Sequence, residues 1–221
     1  MIAGAASFQW RRTAESALPG DWLGAVKVFI NRPLEDTFFD NEVADLVAAA
    51  RRAVEQHCRL ALAPATWVGT CRELPRGGFR LREPRPFASV DKIEIVDPST
   101  GTISTVDPAT YAAFPEAQLT GSVELGDGCA WPPSARRPDA VRITVKTGFY
   151  DLDGTTPMLP DDLRHALMMT VASLDAQHGD ASDDGGSNTT VYALKNVKAG
   201  AIPQAAQVLL APYVYRFLTF A

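Results

Sequence analysis

The side chains that could do chemistry in this chain are few and scattered. Its histidines are His57, His165 and His178. His57 and His165 fall on helical patterns with no acidic residue or cysteine four positions on, the neighbour that metal ligation from one helix face needs. Surface and helix-end roles account for them. Asp161 and Asp162 are adjacent, and consecutive helical residues point in different directions, so they do not converge as an acid–base pair. Following Pro160, they suit the positive end of a helix dipole instead. Asp180-Ala181-Ser182-Asp183-Asp184-Gly185 opens like a calcium loop, with oxygens at positions one, three and five and glycine at six. The position for the bidentate glutamate is Val191, so a flexible loop without metal is expected. Asp151-Leu152-Asp153-Gly154 reads as a turn. There is no GxSxG, no GxGxxG after a strand and no P-loop. Cys58, Cys71 and Cys129 lie outside any CxxC and are expected as reduced thiols. Trp10, Trp22, Trp67 and Trp131 lack the basic interleaving of a single-strand stacking platform. Core packing is expected for three of them, and Trp10 is expected against the body or a neighbour. The residues therefore predict no enzyme, no cofactor and no metal.

Composition narrows the class further. A chain of 221 residues makes one large domain or two small ones. Hydrophobic content of 46% with 21% charged residues is ordinary for a globular protein. The net charge of −5 and pI near 5.2 do not favour nucleic acid. Basic residues come only in the pairs Arg11-Arg12, Arg51-Arg52 and Arg136-Arg137, which make no stripe. No apolar run approaches the ~20 residues of a membrane span, and the start lacks the basic-then-apolar order of a signal peptide.

The elements that carry these residues follow from periodicity. Residues 1–20, small and polar with Pro19-Gly20, predict a loose arm. Asp21 caps a short helix to about Ile30, with Trp22, Ala25, Val26 and Phe29 on one face. Asp36 or Asp40 caps a longer helix to about His57, whose stripe is Phe39, Val43, Leu46, Val47, Ala50 and Val54. Glu42, Asp45, Arg52 and Glu55 occupy its opposite face. From Thr66 to Phe149 the chain turns rich in Pro, Gly, Thr and Val. Strands are expected over Thr66–Leu74 and Phe79–Leu81. Ile93 and Ile95, the turn Asp97–Gly101 and Thr102–Val106 predict a hairpin. Val141, Ile143 and Val145 alternate with polar residues as a half-buried strand does. A further helix starts after Pro160, aligns Leu163, Leu167, Val171 and Leu174, and closes at His178-Gly179. The polar stretch Asp180–Thr190 is a loop. The expected fold is α+β, a small helical bundle with an inserted antiparallel β unit. Its parts are an arm (1–20), a helical core (21–64 and 151–212), a β-rich insertion (65–150) and a C-terminal arm (213–221).

The stretch Ile202–Leu218 is unusual. Pro203 suits a first helical position, and Pro212 interrupts the pattern. Tyr213, Val214, Tyr215, Phe217, Leu218 and Phe220 then run almost to the end. Chain ends are usually frayed and polar unless tied down. An aromatic one predicts a partner, either the protein's own core or another subunit.

The order of these elements resembles the phage head–tail connector (adaptor) proteins of long-tailed phages and gene transfer agents. Three stretches carry the resemblance. The first is the helix Asp21–Ile30 followed by Asp40–Glu55, Arg59-Leu60-Ala61-Leu62 and Thr66-Trp67. The second is Arg85–Val90 entering a hairpin, then Trp131-Pro132 and Pro138–Phe149. The third is Leu159–Leu167 with the closing Leu209–Tyr213. The N-terminal arm and the Asp180–Thr190 loop are departures, both longer than usual. The resemblance implies a structural protein of the virion or phage-like particle, placed in the neck and assembled in the host cytoplasm. It implies a ring, typically twelvefold, that joins the portal protein to the next tail component, a stopper or terminator, while double-stranded DNA passes without sequence-specific binding. In that role Tyr213, Tyr215, Arg216, Phe217 and Phe220 are the expected contacts to the portal or a neighbouring subunit. A tail-completion protein of the neck is the alternative, and a small-molecule-binding α+β domain a further one.

Overall fold

The computed structural model describes residues 7–116, 119–151, 156–180 and 202–214. The chain divides into two compact units, residues 1–18 with 60–158 and residues 19–59 with 159–221. The architecture is α+β, with antiparallel sheets in one unit and helices in the other.

The β unit contains β1 (Gln9–Glu15), β2 (Ala65–Cys71), β3 (Phe79–Leu81), β4 (Phe87–Val96), β5 (Ile103–Thr105), β6 (Tyr111–Pro115), β7 (Gly121–Leu125) and β8 (Val141–Thr147). One sheet runs β1-β2-β8-β4-β5 and the other β3-β7-β6, with every pairing antiparallel. β8, buried at five of its seven residues, sits at the centre of the larger sheet. Val141, Ile143 and Val145 are fully buried, while Lys146 faces solvent. Ile143 lies opposite Ile93 of β4, and Val145 opposite Trp67 of β2. Their side chains join Phe79, Leu81, Phe87, Ile95, Val106 and Val123 in one apolar cluster. Gly121 opens β7 where a Cβ would stand 2.5 Å from the Phe87 ring, so only glycine lets that ring come so close.

Two expectations are corrected here. Gln9–Glu15, expected as part of a loose arm, is an edge strand. It pairs with β2, the Trp10 ring lies against Gly69, where a Cβ would be 2.5 Å away, and the Arg12 guanidinium covers the Trp67 ring at 4.7 Å. β2 stops at Cys71 rather than Leu74, as the Cys71 thiol turns to donate to the Glu73 carbonyl at 3.4 Å and Pro75 can donate to no ladder. The expected hairpin is β4–β5. At its turn Asp97 Oδ1 accepts from the backbone N–H groups of Ser99 (2.7 Å) and Thr100 (2.8 Å) and from the Ser99 hydroxyl, while Gly101 takes φ +71°.

The helical unit contains α1 (Trp22–Phe29), α2 (Asp40–Cys58), α3 (Asp161–Asp180) and α4 (Gln204–Leu210). Asp21 caps α1, accepting from the Gly24 N–H at 3.2 Å. α2 buries Val43, Leu46, Ala50 and Val54. α3 buries Leu163, Leu167, Val171 and Leu174, and packs on α2 and α4. Buried Thr170 is satisfied within α3, its hydroxyl donating to the Ala166 carbonyl at 2.8 Å. Neither Asp36 nor Asp40 caps α2. Phe39 holds the cap position without a side-chain bond, Asp36 Oδ1 accepts from the Phe38 N–H, and Asp40 is already helical. Phe39 is therefore the exposed entry to α2 rather than part of its buried stripe. Pro203 is likewise the residue before α4 rather than its first.

Candidate interaction site

Of the five expected contact residues, Tyr213 is described. Tyr215, Arg216, Phe217 and Phe220 lie outside the described residues. Tyr213 is half-buried and its hydroxyl donates to Asp162 Oδ2 at 3.4 Å, in the first turn of α3. Burial, and then the Asp162 carboxylate, raise its phenol above the ordinary value of 10.0. This aromatic therefore rests on the protein's own helix.

The other chemistry-bearing residues stay apart. His57 is exposed in the last turn of α2, and His165 meets Phe29 edge-on at 5.8 Å. The side chain of His178 and residues 181–191 of the calcium-like stretch lie outside the description. Cys58 and Cys71 are buried and Cys129 is exposed, none of the three in a disulfide. Burial pushes the Cys71 thiol up to about 11, which leaves it unreactive. Among the described residues no group of three or more His, Cys, Asp and Glu could hold a metal. No helix among them is long and apolar enough to cross a membrane.

What the structure does assemble is a displayed apolar loop in the helical unit. Lys27, in the last turn of α1, is 3% exposed. Its ammonium donates to the carbonyls of Leu34 (3.3 Å) and Asp36 (2.7 Å) and pairs with Asp40. One buried cation thus binds the loop backbone from below. The loop's apolar side chains face out: Phe38 is 84% exposed, Leu34 and Phe39 are exposed with it, and so are Val28 and Phe29 at the end of α1. Phe38 meets Phe39 edge-on at 4.9 Å, and the Arg32 guanidinium lies 4.9 Å from the Phe39 ring. Arg32 is held in turn by Glu42 (3.3 Å) and Asp175 (2.6 Å). Exposed aromatic side chains in contact on a fixed loop are the makings of an interaction surface. Periodicity did not single this loop out. The available signal was the pair Phe38-Phe39 standing between acidic residues just after Arg32-Pro33.

The β unit carries a cleft of about 780 Å³ lined by residues 73–77, 129–134 and 136, with Ile95, Leu125 and Val141. Trp131 forms part of its wall. The indole N–H donates to the Gly77 carbonyl at 2.8 Å, and the ring packs 5.9 Å from Phe79 and 6.0 Å from Tyr111. Arg76, Arg136 and Glu73 stand at the cleft as exposed charges, and exposed Cys129 lies among them. Neither arginine has an ion-pair partner among the described residues.

No family model matches the sequence, and no curated protein does. Solved structures of gene transfer agent particles do contain similar chains. One belongs to the neck of an empty particle computed with C6 symmetry, at TM-score 0.58 and 16% identity, covering 96% of this chain and 98% of that one. Another is from the neck of a native particle computed with C12 symmetry, at TM-score 0.57 and 20% identity, with coverage of 96% and 98%. A third comes from the virion of the native particle, at 0.57 and 19%, with coverage of 95% and 97%. The likeness spans nearly all of both chains, so both units of this chain belong to a fold shared with these particle proteins.

Proposed function

We propose that this protein is a structural head–tail adaptor of a phage-like particle. Copies form a ring in the neck, between the portal and the next tail component, and DNA passes through its centre. The observation that carries this reading is the nearly complete overlap with chains from gene transfer agent necks, each covering about the whole of the other. Those necks were computed with C6 and C12 symmetry, which supports a ring of twelve copies here. The acidic balance agrees with passage of a duplex, because dense Lys and Arg would hold phosphates. The role needs no catalysis, only surfaces for neighbours.

In this reading the C-terminal residues Tyr213, Tyr215, Arg216, Phe217 and Phe220 contact the portal or a neighbouring copy. Aromatic residues and arginine are enriched at interface centres. Tyr213 supplies the base of that arm, where it meets α3. Cosedimentation with a purified portal ring tests the role. The full chain is expected to sediment with the portal, and a chain ending at Pro212 to stay in the supernatant while keeping its circular dichroism. A full chain that never sediments with the portal would overturn the adaptor role. A truncated chain that binds normally would remove only the arm.

A further inference from the structure

We propose that the Leu34–Phe39 loop of one copy seats Phe38 in the Trp131 cleft of the next copy, head to tail. The inference rests on the ring reading above and names the contact that would close the ring.

Three observations point to the two surfaces as partners. The first is shape. Phe38 projects from a loop whose backbone is already fixed by Lys27, so little ordering remains to be done on binding. The cleft, at about 780 Å³, has ample room for a phenyl ring, and Trp131 offers it an aromatic wall backed by Phe79 and Tyr111. The second is charge. Glu35 and Asp36 precede Phe38, and neither carboxylate has an ion-pair partner among the described residues. Arg76 and Arg136 at the cleft are the matching unpaired cations, and Glu73 leaves that cleft one net positive charge. Steering and register in an interface come from such complementarity. The third is symmetry. Knob and cleft are different surfaces of one chain, so their contact is heterologous, the type that generates rings.

Cys129 makes the contact testable, because it is the exposed thiol at the cleft while Cys58 and Cys71 are buried. The full-length Phe38→Cys chain is treated with a short bismaleimide, at the highest soluble concentration and again on purified portal rings. The expected product is a ladder of species extending beyond the dimer. Neither the wild type nor the Phe38→Cys, Cys129→Ala chain should give it. A ladder that is absent or stops at the dimer, in samples whose sedimentation shows larger assemblies, overturns this contact and leaves the ring standing. If the wild-type chain forms no assembly in either condition, the ring reading fails and this contact with it. Charge reversal gives a second readout. Glu35→Arg and Arg136→Glu should each weaken association about tenfold, and the double variant should recover most of it. Additive losses without recovery would count against the pairing of these two surfaces.

Discussion

Phe79 in the β unit and Lys27 in the helical unit are both almost wholly removed from solvent, yet they hold their surroundings in different ways. Phe79 touches the rings of Phe8 and Trp131 within an apolar cluster, and its contribution is area and fit. Lys27 reaches three oxygen groups, two of them carbonyls in one loop, and its contribution is direction. Apolar packing is non-directional and tolerates substitutions of equal volume. A buried ammonium must meet particular acceptors, or the cost of burying it is not offset. The contrast assigns the two units different work. The β unit is an apolar-packed body with a cleft. The helical unit spends a buried charge to fix the backbone of a displayed loop.

The strongest challenge to this contrast is Phe79→Ala. It should cost about 3–5 kcal/mol, as expected for a fully buried aromatic, and lower the urea midpoint followed by tryptophan fluorescence. A loss under about 1 kcal/mol would mean that the cluster collapses around the gap and does not set the unit's shape. Next in size is Lys27→Met, which keeps most of the volume but strands two carbonyls and Asp40. A loss of about 2–3 kcal/mol is expected, together with faster amide exchange over residues 34–38. If exchange there is unchanged, the loop is not held by Lys27. The smallest effect belongs to Asp97→Ala at the exposed β4–β5 turn. The hydrogen bond from the Ser99 hydroxyl, then those from the Thr100 and Ser99 N–H groups, hold its carboxyl down to about 2 from an ordinary 3.8. A depressed carboxyl stabilises the fold fully above its unfolded value and loses that contribution as pH falls through the folded one. The Tm gap between wild type and variant should therefore be small and constant above about pH 5 and close between about pH 4 and pH 2. A gap that persists unchanged at pH 2 would show that the turn is held by something else.

The same contrast separates what periodicity could reveal from what it could not. The stripe Val43, Leu46, Ala50 and Val54 and the alternation of Val141, Ile143 and Val145 repeat with the period of their element, and both are buried as expected. Asp21 caps its helix and Asp97 organises its turn, because capping and turn chemistry are local. β1 escaped notice because its half-buried positions are Trp10 and the charged Arg12, and the alternation ends in exposed Thr13, Ala14 and Glu15. What makes it a strand is distant: Gly69 leaves space for the Trp10 ring, and Trp67 lies beneath Arg12. β6 and β7 were missed for a similar reason, since each is short and β7 opens on a glycine whose bare backbone matters only to Phe87. Lys27 reads in sequence as an ordinary polar position on a helix. Its carbonyl partners lie seven and nine residues away in an aperiodic loop, and Asp40 lies at the start of α2, where no helical or strand repeat points to them. Phe38 follows from Lys27, so the displayed loop could not be reached by pattern alone.

The division of the chain into interleaved segments has a consequence for its synthesis. Gln9 pairs with Thr70, yet the sheet they belong to is centred on β8, whose last residue is Thr147. At ordinary translation rates the first two strands wait roughly 4–15 s for that central neighbour. Arg32 waits longer still, for Asp175 on α3. The β unit is complete once residue 158 has been made, whereas the helical unit waits for residues 159–221. The usual order, in which an early domain folds and shields itself before the next emerges, is open to the β unit alone, and only while segment 19–59 still lacks its partners. Until β8 is made, its apolar strands and its aromatic loop are in the open together, and a ribosome that stalls before Val141 leaves two incomplete cores at once.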